Sequence, residues 1–181
     1  MSGGGFVSPG GCAVPTTKAE VMLAIVRKIR ASIAVFSSPT SCFLSSDVAP
    51  DGDVVPTLFC TVSPGGGDFG NDVIGGGPWG IEQRLSVNVG VWVRISKDRP
   101  AHSDYLLTDG SRGLFALEHQ ILIVLAGQQL YREDEHPLLE QVLTPRRTMA
   151  PPRGRDADEF ASAAITFDVV FRWDLNLPPV E

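Results

Sequence analysis

An alternating run at positions 81–95, IEQRLSVNVGVWVRI, constrains the fold more than any other feature of the sequence. Its odd positions are apolar except for Gln83, and its even positions are mainly polar, with Trp92 as the large exception. A period of two is typical of a β-strand with one buried face. At about 3.3 Å per residue such a run spans roughly 50 Å, whereas typical strands have about 5–6 residues. The sequence therefore predicts one very long strand.

Two amphipathic helices are predicted, one before this strand in the chain and one after it. The first begins at Thr17, because Thr17 and Glu20 have the spacing of a capping box. Its apolar stripe comprises Met22, Ile25, Val26, Ile29, Ile33 and Phe36. The second helix is expected from about Ser111 to Leu130. Its buried stripe comprises Leu114, Leu117, Ile121, Val124 and Leu125.

Two further strands and two irregular segments complete the expected organisation. TLFCTV at 57–62 predicts a short strand, and ASAAITFDVVFRWDL at 161–175 alternates again and predicts a closing strand. The glycine-rich segment 63–80 is predicted to be a loop, either a hairpin tip or a crossing connection. The segment 132–160, rich in proline and charge, is predicted to be an excursion in which PLLEQVL forms one or two helical turns.

The resulting order, α-β-β-α-β, favours an α+β fold, because there are too few helices to cover both faces of a sheet. We expect two helices on one face of a small, mostly antiparallel sheet with one very long strand or hairpin. Residues 17–175 are predicted to form a single domain. Residues 1–16 are expected to be a flexible arm rich in glycine and proline, and 176–181 a C-terminal tail.

Composition restricts the possible partners. The chain has 15 basic and 21 acidic residues and a net charge of −6, which disfavours a general nucleic-acid binder.

No apolar run approaches the roughly 20 residues of a membrane span. The cysteines, Cys12, Cys42 and Cys60, are odd in number and widely spaced, so neither a disulfide framework nor a zinc site is indicated. Synthesis in a reducing, intracellular compartment is expected.

Sequence motifs for catalysis are missing. GGGDFGND lacks the Gly-Lys-Ser/Thr ending of a phosphate loop, and neither Gly-x-Ser-x-Gly nor HExxH occurs. Asp168 is a single carboxylate within a strand, on the same side as Arg172 by alternation, so a place on the exposed sheet face or in an interface ion pair is a better interpretation than acid–base catalysis. His119 and His136 also lack a second catalytic group at a suitable spacing. We therefore predict no enzymatic activity, no cofactor and no bound metal.

A group of arginines lies in TPRRTMAPPRGR, at 144–155. Its members are Arg146, Arg147, Arg153 and Arg155. Such a group can contact an acidic neighbouring protein or a phosphate backbone, or it can simply be a solvated loop. Acidic residues at 133–135 and 156–159 disfavour tight binding to DNA.

The layout resembles the tail terminator proteins of long-tailed bacteriophages, also called tail-completion or tail-to-head joining proteins. The similarity rests on TKAEVMLAIVRKIRASI, TLFCTV, IEQRLSVNVGVWVRI, GLFALEHQILIVLAG and AAITFDVVFRWDL, which span most of residues 17–175. It implies a homo-oligomeric ring, hexameric in the family, that caps the tail tube, stops its polymerisation and joins it to head and neck proteins. The resemblance also implies that DNA passes through the central channel and that no membrane is involved. The protein is expected in the virion at the tail–neck junction, after assembly in the host cytoplasm.

The long strand gives this resemblance a physical basis, since its exposed row could be covered by a neighbouring subunit. The candidate contact residues are Phe69, Trp79, Arg84, Trp92, Arg94, Arg146, Arg147, Arg153, Arg155, Asp168 and Arg172. An alternative for Trp92 is that it covers its own core. An acidic total charge suits a channel through which DNA slides without sticking.

Two other functions remain open from the sequence. One is another virion connector, namely a neck or head-completion protein, or a minor tail protein. The other is a small ligand-binding or enzymatic α+β domain, which would require a concave pocket with convergent polar groups.

Overall fold

The computed structural model describes residues 17–45, 57–73, 80–94, 109–110, 112–132, 135, 137–149 and 160–174. At 68–73, 80–81, 147–149 and 173–174 the structure describes the backbone alone. The elements in chain order are α1 (Lys18–Ser32), a 3-10 turn (Ala34–Phe36), β1 (Cys42–Leu44), β2 (Leu58–Val73), β3 (Gly80–Arg94), α2 (Leu114–Leu125), β4 (Thr144–Met149) and β5 (Phe160–Asp174). The predicted arm 1–16 and tail 176–181 lie outside the described residues.

The strands form one five-stranded sheet in the order β1-β2-β3-β5-β4. β1 runs parallel to β2, and every other neighbouring pair is antiparallel. Both helices pack on the face that carries the odd-numbered residues of β3, from Leu85 to Val93. The predicted α+β class, with two helices on one face of a mostly antiparallel sheet, is therefore confirmed.

The first helix begins as the sequence predicts. The Thr17 hydroxyl accepts a hydrogen bond from the Glu20 backbone N–H at 3.2 Å, and the Glu20 carboxylate accepts one from the Thr17 N–H at 2.7 Å. These reciprocal bonds satisfy two backbone donors that a free helix end would leave unpaired. The helix ends at Ser32, and Phe36 of the predicted stripe is buried from the following 3-10 turn instead.

Three strands of similar length, β2, β3 and β5, form a continuous unit that we term the ribbon. They contain 16, 15 and 15 residues. The prediction of a short strand at 57–62 is wrong, because β2 continues to Val73 and includes much of the segment predicted as a glycine-rich loop. Pairing with β3 supplies the backbone hydrogen bonds that hold these glycines extended. Residues 74–79 lie outside the described residues.

Glycine is required where β2 bulges between Pro64 and Gly67. A Cβ atom at Gly65 would lie 2.8 Å from the Ser86 carbonyl oxygen, and one at Gly67 would lie 2.9 Å from that of Arg84. Side chains are excluded at such distances from backbone atoms. The bulge therefore depends on glycine for the close approach of the two strands.

The long strand predicted from the alternation is confirmed as unbroken, but its place in the sheet is not an edge. β3 pairs with β5 from Gly80 to Arg94 and with β2 over most of the same length. The backbone of β3 is thus satisfied within its own chain. Its length is matched by two neighbours of similar length, so no backbone of β3 is left over for an adjacent copy.

Two short strands were not predicted. β1 lies at one edge of the sheet, and β4 lies at the other, inside the predicted 132–160 excursion. β4 includes Pro145, which is tolerated because an edge strand pairs on one side only. Its pairing with β5 shifts register between Pro145 and Arg147.

The segment after α2 belongs to the core. α2 ends at Leu125 and not near Leu130, and Gly127 adopts a φ of +69°, which turns the chain back. Two backbone hydrogen bonds hold the segment that runs back. The Leu138 N–H donates to the Leu130 carbonyl at 2.8 Å, and the Leu143 N–H donates to the Gln128 carbonyl at 2.9 Å. Leu130, Leu138, Leu139 and Leu143 are buried against the sheet and helices. PLLEQVL therefore forms an irregular apolar cover and not the predicted helical turns.

The helices described in the structure include none long and apolar enough to cross a membrane.

Candidate functional site

The surface with the most varied chemistry is the sheet face opposite the helices, which we term the outer face. It carries the even-numbered residues of β3 from Glu82 to Arg94, together with their partners on β2 and β5. Antiparallel sheets often bury one face and leave the other in water. This face divides into an aromatic end and a polar centre.

At the aromatic end, rings from four different parts of the chain meet around Phe59. The Phe59 ring stacks on Trp92 with centroids 6.0 Å apart and on Phe43 at 5.9 Å, and Phe160 approaches it edge-on at 5.6 Å. Phe59 is fully buried although it points away from the helices. The Arg94 guanidinium lies 5.3 Å from the centre of the Phe160 ring, a cation–π distance. The outer face thus has a small apolar cluster of its own.

Trp92 is held within this cluster by a hydrogen bond. Its indole N–H donates to the Thr61 hydroxyl at 3.0 Å, and the side chain is only 5% exposed. Of the two interpretations offered by the sequence, the structure agrees with the one in which Trp92 covers its own sheet. The indole is buried by this chain alone, so burial gives no reason to invoke another chain. Its contact with a neighbouring subunit stays a prediction.

The polar centre consists of directly opposed pairs across β3 and β5. The Thr166 hydroxyl donates to the Asn88 amide oxygen at 2.8 Å, and the Ser86 hydroxyl donates to an Asp168 carboxylate oxygen at 3.3 Å. Arg146 on β4 lies 3.7 Å from the same Asp168 oxygen. Cross-strand pairs of this kind stabilise the register of neighbouring strands.

Two shallow depressions flank Arg146 on this face. One has a volume of about 440 Å³ and the other about 400 Å³, and both are lined by Gly66, Gly67, Ser86 and Arg146. They exist because the glycines of the bulge place no side chains beside the strand. Asp168 lines the first and Thr166 the second.

The chemistry of the polar centre suits hydrated contacts better than catalysis. Arg146 and Asp168 are 64% and 45% exposed, so their ion pair is screened by water and contributes little stability. Arg84 pairs with Glu82 of its own strand at 3.2 Å. Among the described residues no group of three histidine, cysteine, aspartate or glutamate side chains could hold a metal ion.

The other predicted contact residues divide by location. Arg172 is exposed and stands opposite Glu82 in the β3–β5 register. Phe69 and Arg147 lie opposite Gln83 and Thr166, but their side chains are outside the described set. Trp79, Arg153 and Arg155 lie outside the described residues. The structure therefore brings Arg84, Arg146 and Asp168 together around one depression.

Sequence reasoning missed the aromatic cluster and a pair of cysteines. The alternation of TLFCTV places Phe59 and Thr61 on one side, which was an available signal, but Phe43 and Phe160 are remote in sequence. Cys42 and Cys60 are register partners in the parallel β1–β2 pair, and both are buried and reduced. Their mutual hydrogen bond lowers the pKa of Cys42, while the same bond and burial raise the pKa of Cys60 well above its usual value.

No family model matches the sequence, and no curated protein matches it. The structure is similar to a solved chain described as the virion of a native gene transfer agent (GTA) particle. The two share 17% sequence identity with a TM-score of 0.49, over 85% of this chain and 96% of that chain. A match of this extent does not assign a function.

Proposed function

We propose that this chain is a structural virion protein that acts as a phage tail terminator. In this role it forms a homo-oligomeric ring, hexameric as in the family it resembles, which caps the tail tube, stops its polymerisation and joins it to the head and neck. It is an assembly protein without catalytic activity. Its partners are further copies of itself, the tail tube protein and the head–neck connector proteins, and DNA passes through the channel.

The observation that carries the proposal is the ribbon. Strands of 15 and 16 residues at about 3.3 Å per residue give it a length of roughly 50 Å. The helices have 15 and 12 residues, which correspond to about 22 and 18 Å at 1.5 Å per residue. Neither helix is long enough to cover the ribbon from end to end. Leu130, Leu138, Leu139 and Leu143 cover part of the remaining inner face, whereas neither helix packs on the outer face, which offers surface to neighbouring subunits in a closed assembly.

The outer face supports the proposal through its chemistry. Its polar centre combines exposed arginines, Arg84 and Arg146, with Asp168 and with neutral hydrogen-bonding groups. Mixed charges beside shallow depressions are typical of the polar, wet part of protein–protein interfaces. We assign Arg84, Arg146, Asp168 and Arg172 to contacts with a neighbouring subunit or with the tail tube.

The charge balance supports passage of DNA through the ring. The net charge is −6, so the subunit as a whole repels phosphate at long range. A ring of such subunits lets DNA move without sticking. A channel lined by basic side chains in a particle reconstruction would contradict this part of the proposal.

Loss of the protein from the particle tests the function directly. Tails assembled without it are expected to lack heads and to vary in length, as seen by negative-stain electron microscopy. Supplying the wild-type chain in trans restores uniform tails with heads. Tails of normal length joined to heads in its absence would refute the proposal. Localisation in a particle reconstruction separates the tail end of the junction from the portal side, where a neck connector would lie.

A further inference from the structure

The outward side of α2 is unusually apolar. Phe115 and Ile123 are 60% and 64% exposed, and with His119 they occupy positions i, i+4 and i+8 on one side of the helix. The opposite side, with Leu114, Leu117, Ile121 and Leu125, is buried in the core. Two large apolar side chains are thus exposed on the side of α2 that faces away from the core. We name Phe115, His119 and Ile123 the α2 stripe.

A groove of complementary chemistry lies along α1. It is lined by Ala24, Arg27, Lys28, Ala31, Gln129, Leu130 and Tyr131, with a volume of about 270 Å³. Ala24 and Leu130 are buried and form an apolar floor, while Tyr131 is exposed and forms a wall. An apolar cavity of about 150 Å³ is large enough to hold a benzene ring. The α1 groove therefore has room for one phenylalanine side chain.

The charges beside the two surfaces are opposite. Glu118 is the acidic residue of α2, next to the stripe. Arg27 and Lys28 line the α1 groove. The Lys28 ammonium donates to the neutral Gln128 amide oxygen at 3.3 Å, so its charge is available to an incoming carboxylate. An acidic helix flank and a basic groove edge favour one direction of docking.

We propose that the α2 stripe of one copy docks in the α1 groove of the next copy, with Phe115 in the groove and Glu118 against Lys28. The stripe and the groove share no residue, so the contact is head-to-tail. Such contacts close into a ring when the rotation per subunit divides a full turn. The inference rests on the ring of the proposed function, but it concerns self-association of the purified chain and is measured without virions.

Self-association of the full-length chain is the first measurement. Sedimentation velocity and native mass spectrometry over a range of concentrations are expected to show concentration-dependent oligomers. Phe115→Ser is expected to weaken association about tenfold or more, as truncation of a central interface aromatic does. Val142→Ser is the matched control, because Val142 is exposed to a similar degree but belongs to neither surface. A wild-type chain that stays monomeric at every concentration, or equal effects of both changes, would overturn the inference.

Charge exchange identifies the pairing. Lys28→Glu and Glu118→Lys are each expected to weaken association about threefold or more, and the double variant is expected to recover it. Unchanged melting temperatures show that the variants are folded. A double variant weaker than both single variants contradicts the pairing.

A photo-crosslinking residue at position 115 separates this contact from others. Crosslinks between chains are expected in 24–31 or 129–131. Crosslinks to α2 of the other copy would indicate a symmetric dimer, and intact oligomers without crosslinks would indicate another surface; either result overturns the inference. These experiments measure self-association and not tail length. Their failure would overturn the proposed contact without deciding whether the protein is a tail terminator.

Discussion

The indole N–H of Trp92 donates to the hydroxyl of Thr61, 3.0 Å away on the neighbouring strand. The two residues are not directly opposed: Trp92 faces Phe59, and Thr61 faces Gly90. The bond is therefore diagonal and passes over Gly90. A Cβ atom at position 90 would lie 3.0 Å from both the Thr61 hydroxyl oxygen and the Trp92 ring nitrogen. Glycine at this position lets the large ring lie flat over the sheet.

Replacing Gly90 by alanine is expected to destabilise the fold by about 1–3 kcal/mol, because the added methyl group crowds a buried hydrogen bond. Alanine normally stabilises a strand relative to glycine, so a loss of stability on Gly90→Ala would by its sign alone indicate crowding. Urea denaturation monitored by tryptophan fluorescence measures the change. Combining it with Thr61→Ala, which removes one of the two crowded atoms, is expected to cost less than the sum of the single changes. Additive costs would contradict the crowding.

Replacing Trp92 by phenylalanine retains a ring for the contact with Phe59 but removes the N–H donor. The Thr61 hydroxyl then loses its partner in a buried position, so the free energy of unfolding is expected to fall by about 1–3 kcal/mol. Circular dichroism during chemical denaturation provides the measurement. An unchanged free energy of unfolding would show that the hydrogen bond is dispensable.

The glycine bulge offers a matched pair of substitutions. Gly65→Ala places a methyl group 2.8 Å from the Ser86 carbonyl oxygen, whereas the same change at Gly66 meets open space. We expect a loss of about 1–3 kcal/mol at position 65 and a change within about 0.5 kcal/mol at position 66. Thermal and urea denaturation of both variants make the comparison. Equal effects would mean that the close approach of β2 to β3 is not limiting.

Asp168 and Arg146 are expected to matter for assembly more than for stability. Their ion pair is largely exposed, so Asp168→Asn should change the free energy of unfolding by less than about 1 kcal/mol. Under the proposed function the same change impairs the joining of tails to heads. Complementation with the variant, scored by electron microscopy, tests assembly, and urea denaturation tests stability. Normal joining by this variant would remove Asp168 from the set of contact residues.

Cys42 and Cys60 are expected to resist alkylation in the folded chain at pH 8. Both are buried, and the raised pKa of Cys60 keeps its thiol protonated and unreactive. Iodoacetamide labelling followed by peptide mass spectrometry gives the extent of reaction at each cysteine. As urea is increased, Cys42 should react before Cys60, because it lies on a short edge strand and its pKa is lowered. Simultaneous reaction would show that β1 does not open separately.

The sequence by itself determined the elements whose signals are local. The alternation at 81–95 and 161–175 identified β3, β5 and their buried faces, since a strand's side chains alternate whatever it pairs with. The capping pair Thr17 and Glu20 identified the start of α1, because its hydrogen bonds span three residues only. Of the candidate site, the same alternation correctly placed Arg84 and Asp168 on the outer face.

Only the tertiary structure decided the features that depend on distant partners. The sequence at glycines 65–67 indicates a loop. In the structure, pairing with β3 supplies the hydrogen bonds that hold these glycines in β2. β1 and β4 are too short to be recognised alone and exist because an edge of the ribbon is available to them. The burial of Trp92 required Phe43, Phe59 and Phe160 to converge from remote positions. The alternation along a strand fixes the side of the sheet to which each residue points. What covers that side is decided by non-local contacts, which only the folded chain brings together.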